Sequence, residues 1–208
     1  MPEISSDLNM VRVTNEAFLK KADACAPQLK ETMVYPTGIV EIQDTGADYP
    51  IAVQTDSADN LRKHALKKGD KLCLDFGDHQ VGYVTLKLSS IGSPQDAPAF
   101  FKLKFGEIAK EMTEKSEEYD GWISRGWIQE EYFHVDTLPT VLELSRRYAF
   151  RYLEIEVLDT SMKWQLVVDE AVCRSVSAVS TEETKSFPSE DQMIQKIDKV
   201  SLRTLQNC

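Results

Sequence analysis

The sequence predicts an all-β fold, an antiparallel jelly-roll-like β-sandwich with a short N-terminal helix and a C-terminal amphipathic helix. Three observations carry that prediction. From about residue 31 the apolar residues recur at a period of two for about 150 residues. Turn signals punctuate the stretch at Gly77-Asp78, Gly92-Ser93-Pro94, Asp96-Ala97-Pro98, Asp120-Gly121 and Leu138-Pro139. No helical pattern of crossover length separates the strands, which argues for an antiparallel sandwich over a βαβ sheet.

Residues 1–30 form a helical extension. Phe18, Leu19, Ala22 and Cys25 recur at three- and four-residue steps, Thr14 is placed to cap, and Pro27 ends the pattern. The sandwich follows over 31–180. Leu72, Leu74 and Phe76 alternate with Lys71, Cys73 and Asp75, and Phe101, Leu103 and Phe105 alternate with Lys102 and Lys104. Further strands are expected at 38–42, 81–88, 126–136, 141–144, 147–158, 164–169 and 172–179. In 147–158, Tyr148, Phe150 and Tyr152 share one face, whereas Leu153, Ile155 and Val157 share the other. That switch predicts a bulge or a bend from one sheet into the other.

A polar linker is expected at 181–188 and a helix at 189–208. Ser189 with Gln192 makes a capping box after Pro188. Met193, Ile194, Ile197 and Val200 follow one helical face, with Leu205 at its flank. No stop signal is read after it, so the helix is expected to be cut mid-element, without the unit it would pack against.

Composition narrows the function. Lys plus Arg number 24 against 34 Asp plus Glu, a formal net charge of −10, which disfavours nucleic acid and anionic membranes as partners. No apolar run approaches the roughly 20 residues of a membrane helix. The start, Met-Pro-Glu-Ile-Ser-Ser-Asp, lacks a secretory signal, so a cytoplasmic protein is expected. The four cysteines, Cys25, Cys73, Cys173 and Cys208, show no Cys-x-x-Cys or zinc spacing and are expected as reduced thiols. Nothing in the sequence speaks to oligomeric state.

Catalytic motifs are absent. Asp75-Phe76-Gly77 has the spelling of a kinase metal-binding tripeptide but none of its companions, and no Walker loop, Gly-x-Gly-x-x-Gly or Gly-x-Ser-x-Gly occurs. His64, His79 and His134 lie in unrelated contexts. Glu130 and Glu131 project to opposite faces of a strand and make no acid/base couple. No catalytic residue, metal site or cofactor is therefore assigned. An acidic loop or loose helix at 107–120 leads into Tyr119, Trp122 and Trp127, which surround Gly121, Arg125 and Gly126. Tyr119, Trp122, Arg125 and Trp127 are the candidate carbohydrate-binding residues, since aromatic faces stack on sugar rings and Arg binds hydroxyls. The same rings could anchor the loop on the core or on a neighbouring domain.

The run Leu74-Asp-Phe-Gly-Asp-His-Gln-Val-Gly-Tyr-Val-Thr-Leu-Lys-Leu88, then Phe101-Lys-Leu-Lys-Phe-Gly-Glu107, then Arg146-Arg-Tyr-Ala-Phe-Arg-Tyr-Leu-Glu-Ile155, resembles the β-sandwich preceding the catalytic domain of bacterial α-L-rhamnosidases, glycoside hydrolase family 78. The tail Ile197-Asp-Lys-Val-Ser-Leu-Arg-Thr-Leu-Gln-Asn-Cys208 is similar to the first helix of that family's (α/α)6 barrel. The resemblance implies an inverting, two-carboxylate hydrolysis of α-L-rhamnosides carried by a barrel outside these residues. It also implies two partners, that missing catalytic helical domain and a rhamnose-containing glycan. The chain is then the non-catalytic sandwich of a hydrolase, inactive alone. Two other readings remain open: a stand-alone lectin-like module using Tyr119, Trp122 and Trp127, and an interaction role in which the stripe at 193–205 docks a partner or a second copy. Structural roles are expected for Gly77, Gly82 and Gly106 at strand ends or close approaches. Asp75 and Glu107 are expected to accept loop N–H groups, and Arg147 and Arg151 to pair with carboxylates.

Overall fold

The computed structural model describes residues 15–46, 49–179 and 184–207. Helix α1 (Glu16–Ala24) precedes β1 (Lys30–Val34), β2 (Gly38–Gln43), β3 (Ile51–Ser57), β4 (Ala65–Leu66), β5 (Lys71–Gly92) and β6 (Ala99–Gly106). Helix α2 (Ala109–Thr113) leads to β7 (Gln129–Val135), β8 (Thr140–Glu143), β9 (Tyr148–Asp159), β10 (Trp164–Ser177) and helix α3 (Gln192–Gln206). Every pairing among the described strands is antiparallel. The all-β sandwich with short terminal helices is thus the fold expected.

The layers share one strand. The first part of β5 pairs with β2 and β9, which continues to β6 and β7; its later part pairs with β8 and β10, which continues to β1 and β4. Between the layers lie Leu74, Leu86, Phe101, Leu103, Phe150, Leu153, Ile155 and Leu166, all removed from solvent. A smaller cluster of Val40, Cys73, Met112 and Tyr152 sits on the other face of the first layer, under α2.

The strands expected at 72–76 and 81–88 are one strand, β5, because Gly77 is a bulge and not a chain reversal. Gly77 takes φ +81°, and the β5–β9 register slips between Asp75 and Gln80. This slip is the cause of the face switch read in β9. Tyr148 and Phe150 before it, and Leu153, Ile155 and Val157 after it, all reach the main core, while Tyr152 turns to the smaller cluster. Gly82 lies at the crossing, pairing with both Ser175 and Tyr148, where a Cβ would meet the Arg174 carbonyl oxygen at 2.4 Å. The strands expected at 164–169 and 172–179 are likewise one strand, β10, which ends at Ser177 and carries a bulge between Val168 and Glu170. Strands β1, β3 and β4 lack clean alternation and were not expected. Strand β7 starts at Gln129 because Arg125–Trp127 close a 3-10 turn capped by Ser124.

Both terminal helices use other caps than expected. Asn15 accepts from the Ala17 and Phe18 amides at 3.1 and 3.2 Å, and Thr14 lies outside the described residues. Asp191 caps α3, accepting from Met193 and Ile194, because the N-cap falls two residues beyond the expected Ser189. Ser189 Oγ instead accepts from the Asp191 amide. Asn207 is the C-cap of α3, where no stop signal was read.

Candidate functional site

Two regions hold exposed residues of the kind that bind: the loop between α2 and β7, and the junction of α3 with the sandwich. The loop is tied down by buried charge. Lys104, only 4% exposed, donates from Nζ to the Met112 and Glu114 carbonyls at the end of α2. Burial lowers its pKa, outweighing the carboxylates of Glu130 and Glu154. Ser116 Oγ donates to Glu130 on β7, whose other oxygen lies 3.6 Å from Lys102 Nζ. Lys102 also meets Glu156 at 3.1 Å, and Lys71 meets Glu154 at 3.1 Å and Glu156 at 3.4 Å. Burial pulls the Lys71 and Lys102 ammonium groups down, but these carboxylates together more than offset it, so both titrate above the ordinary lysine range.

On that base the candidate carbohydrate residues separate. Tyr119, half-buried, meets Trp127 edge to face with ring centroids 5.7 Å apart. Trp122 is 96% exposed, and among the described residues it makes no ring contact. Arg125 is exposed and, among the described residues, forms no ion pair. The loop therefore joins Tyr119 to Trp127 and presents Trp122 alone.

The junction was not foreseen. The β5 bulge carries Asp78 and His79 toward the last turn of α3. Asn207 Nδ2 lies 2.8 Å from His79 Nδ1 and 3.2 Å from the His79 carbonyl oxygen, and Arg203 Nη2 donates to the same carbonyl. Arg203 Nε stands 3.4 Å from Asp78, and His79 Nε2 stands 3.5 Å from Glu107. Beside these contacts runs a cleft of about 740 Å³, lined by Glu107 and Ile108 from the sandwich side and by Lys196, Lys199, Val200 and Thr204 from α3. The connecting segment also folds along α3, with the Phe187 amide donating to Asp198 at 3.0 Å and Gln195 donating to the Ser189 carbonyl at 2.7 Å. The signal for the junction was the turn-like Gly77-Asp78 inside an apolar alternation; nothing marked Arg203 or Asn207.

Helix α3 meets the β5 bulge through Arg203 and Asn207, and its Asp198 meets the connecting segment. Asp198, Leu202, Arg203, Gln206 and Asn207 are half-buried. Met193, Ile194, Ile197, Val200 and Leu205, the stripe read from the sequence, are all exposed.

The remaining titratable residues are used structurally. Asp56 meets His64 Nε2 at 2.9 Å and accepts from Asn60 and the Ser57 amide, bonds that hold it down at about 2. His134 stacks on Phe100 with centroids 4.1 Å apart. Glu131 meets Arg146 at 3.0 Å on the opposite face from Glu130, as strand alternation requires. Asp75 receives Arg151 through two 2.8 Å bonds and the Gly77 amide at 2.7 Å, so the expected roles of Asp75 and Arg151 hold. Two expectations fail. The Glu107 carboxylate turns to His79 while its own amide is bonded by Glu111, and Arg146 takes the ion pair expected of Arg147, whose side chain is exposed. Burial pushes the Cys73 thiol far up and the Cys173 thiol to about 12, so neither is a nucleophile at neutral pH. Among the described residues no three His, Cys, Asp or Glu side chains group as metal ligands, and no helix is long and apolar enough to cross a membrane.

Comparison with known proteins bears on this architecture. No match was found among the curated proteins. A rhamnosidase from Klebsiella oxytoca, solved with rhamnose bound, superposes with a TM-score of 0.85 at 35% identity. The alignment covers 92% of this chain and 37% of that one, so the chain spans little more than a third of the relative. The sequence profile of the glycosyl hydrolase family 78 alpha-rhamnosidase N-terminal domain matches residues 36–175, the extent from β2 to the end of β10. With two thirds of its length inside that profile and a relative of matching fold, this chain belongs to the family 78 alpha-rhamnosidase N-terminal domain family.

Proposed function

We propose that the chain is the non-catalytic sandwich of an α-L-rhamnosidase-like glycoside hydrolase and supports a helical catalytic domain through α3. In this reading 181–188 is the linker and 189–208 begins the catalytic domain, which would supply the two carboxylates of an inverting hydrolysis of terminal α-L-rhamnosides. One observation carries it: α3 meets the sandwich through Arg203 and Asn207 near its C-terminal end, while its apolar stripe is exposed. A solvent-facing helix ordinarily shows the reverse, and an exposed apolar stripe is the mark of a surface made to be covered. The unpaired thiols Cys25, Cys73 and Cys173 support a reducing compartment, and with it a cytoplasmic location.

The stripe can be tested directly. Met193→Lys and Ile197→Glu, at positions 64% and 58% exposed, should change stability by less than about 0.5 kcal/mol. A loss of about 2 kcal/mol or more in urea unfolding would mean that the stripe is already packed within this chain.

A sugar-contact reading is favoured by Trp122, whose exposed indole stands on an anchored loop. Under it, titration with rhamnose should give a saturable change in tryptophan fluorescence that Trp122→Ala removes; no saturable change in the intact protein rejects it.

A further inference from the structure

Two lysines of the cleft between α3 and the sandwich find no counter-ion among the described residues. Lys196, Lys199 and Arg203 follow one another at three- and four-residue steps and so form one row along the helix. Arg203, at the end of the row, is bonded to the His79 carbonyl and stands 3.4 Å from Asp78. Lys196 and Lys199 are exposed, line the same cleft and, among the described residues, form no ion pair. Elsewhere on the sandwich Lys68, Lys87 and Lys163 each meet a carboxylate within 3.2 Å. The carboxylates of the cleft are already taken, Asp78 by Arg203 and Glu107 by His79 at 3.5 Å. In a chain of net charge −10 the two lysines make a local positive patch. The patch borders the apolar stripe: Lys196 stands three residues from Met193 and four from Val200, so row and stripe are neighbours on the helix surface. Val200 lines the cleft together with Ile108 of the sandwich side, and both are exposed.

We infer that this cleft takes an acidic amphipathic helix of the helical catalytic domain, its apolar face on the stripe and on Ile108 and its carboxylates on Lys196 and Lys199. The inference rests on the reading of α3 as a docking element and gives the form and charge of what docks. A stripe that repeats at three- and four-residue steps is matched by a second helix of the same period. Carboxylates are what two unpaired ammonium groups lack, and in that place they fix the register and orientation of the docked helix more than its strength. A polyanion does not suit the surface. Asp78 and Glu107 flank the patch and the chain as a whole is acidic, so nucleic acid or an anionic lipid surface is repelled beyond the two lysines.

Two dye-labelled peptides of about 18 residues, long enough to form a helix when docked, test this on the intact chain by fluorescence anisotropy. Both carry leucine at i, i+3, i+4 and i+7; one has glutamate and the other lysine at the flanking positions. The net charge of the chain alone favours the basic peptide, so the order of the two affinities is diagnostic. The acidic peptide should bind about tenfold more tightly at low salt, and its advantage should shrink toward about 0.5 M salt. Lys196→Glu with Lys199→Glu should reverse the order, and Lys196→Gln with Lys199→Gln should remove the advantage of the acidic peptide. Both pairs change exposed positions and should keep the wild-type urea midpoint. Equal affinities, tighter binding of the basic peptide, or no binding of either overturns the inference, and so does an acidic preference that survives the lysine reversal. A dimer in sedimentation velocity that the reversal dissolves also overturns it, by assigning the cleft to a second copy of this chain. Equal affinities leave the docking role of the stripe intact, since that reading stands or falls with the stripe substitutions in urea.

Discussion

Asp75 and Arg151 act across the bulge that lets β5 serve two layers. Arg151 spans the register slip, and its two bonds to Asp75 close the gap that residues 76–79 leave in the ladder. Asp56 does the comparable work at the end of β3, joining Asn60, His64 and the Ser57 amide. Its carboxyl is lowered from 3.8 to about 2, first by the Asn60 bond, then by His64 and Ser57. A depressed carboxyl pKa stabilises the fold above the unfolded value, and the gain is lost as pH falls through the folded value. Urea midpoints of wild type and Asp56→Ala should therefore differ fully at pH 5 and converge as pH drops from 3.8 toward 2. A difference that stays constant over that window contradicts the assignment. Roles of this kind were readable for Asp75 and Arg151, where a motif framed them, but not for His79, Arg203 and Asn207. Those three are brought together by a bulge and a helix seat more than 120 residues apart in the chain, and spacing alone carries no trace of them.

Stretches that alternate, such as the start of β6 and the two halves of β9, were readable because one buried face imposes a period of two. The continuity of β5 was not, since Gly77-Asp78 spells a turn whether the chain reverses or only bulges. Gly82, by contrast, is decided by tertiary approach. Gly82→Ala should destabilise the fold by about 3 kcal/mol, because its Cβ would press on the Arg174 carbonyl; a cost below about 1 kcal/mol in urea unfolding would show that the two layers part easily there. The apolar stripe of α3 was readable as a stripe. Its outward orientation was not, because periodicity identifies a face without saying where it points.

At the scale of the molecule, helix α1, the sandwich and helix α3 differ in how completely their apolar surface is covered. Neither α1 nor α3 buries a residue, and Phe18 is 71% exposed, whereas the sandwich hides its aromatic and aliphatic core. The aromatic loop was readable as a candidate from composition, yet only the fold separates Tyr119 and Trp127, which pack together, from Trp122, which does not. The proposed supporting role implies that the chain alone does not hydrolyse a rhamnoside. Turnover of an aryl α-L-rhamnoside by the purified chain measures that most directly. No release above the buffer blank is expected; release that is abolished by replacing carboxylates within this chain, such as Asp75→Asn or Glu107→Gln, would overturn the supporting role.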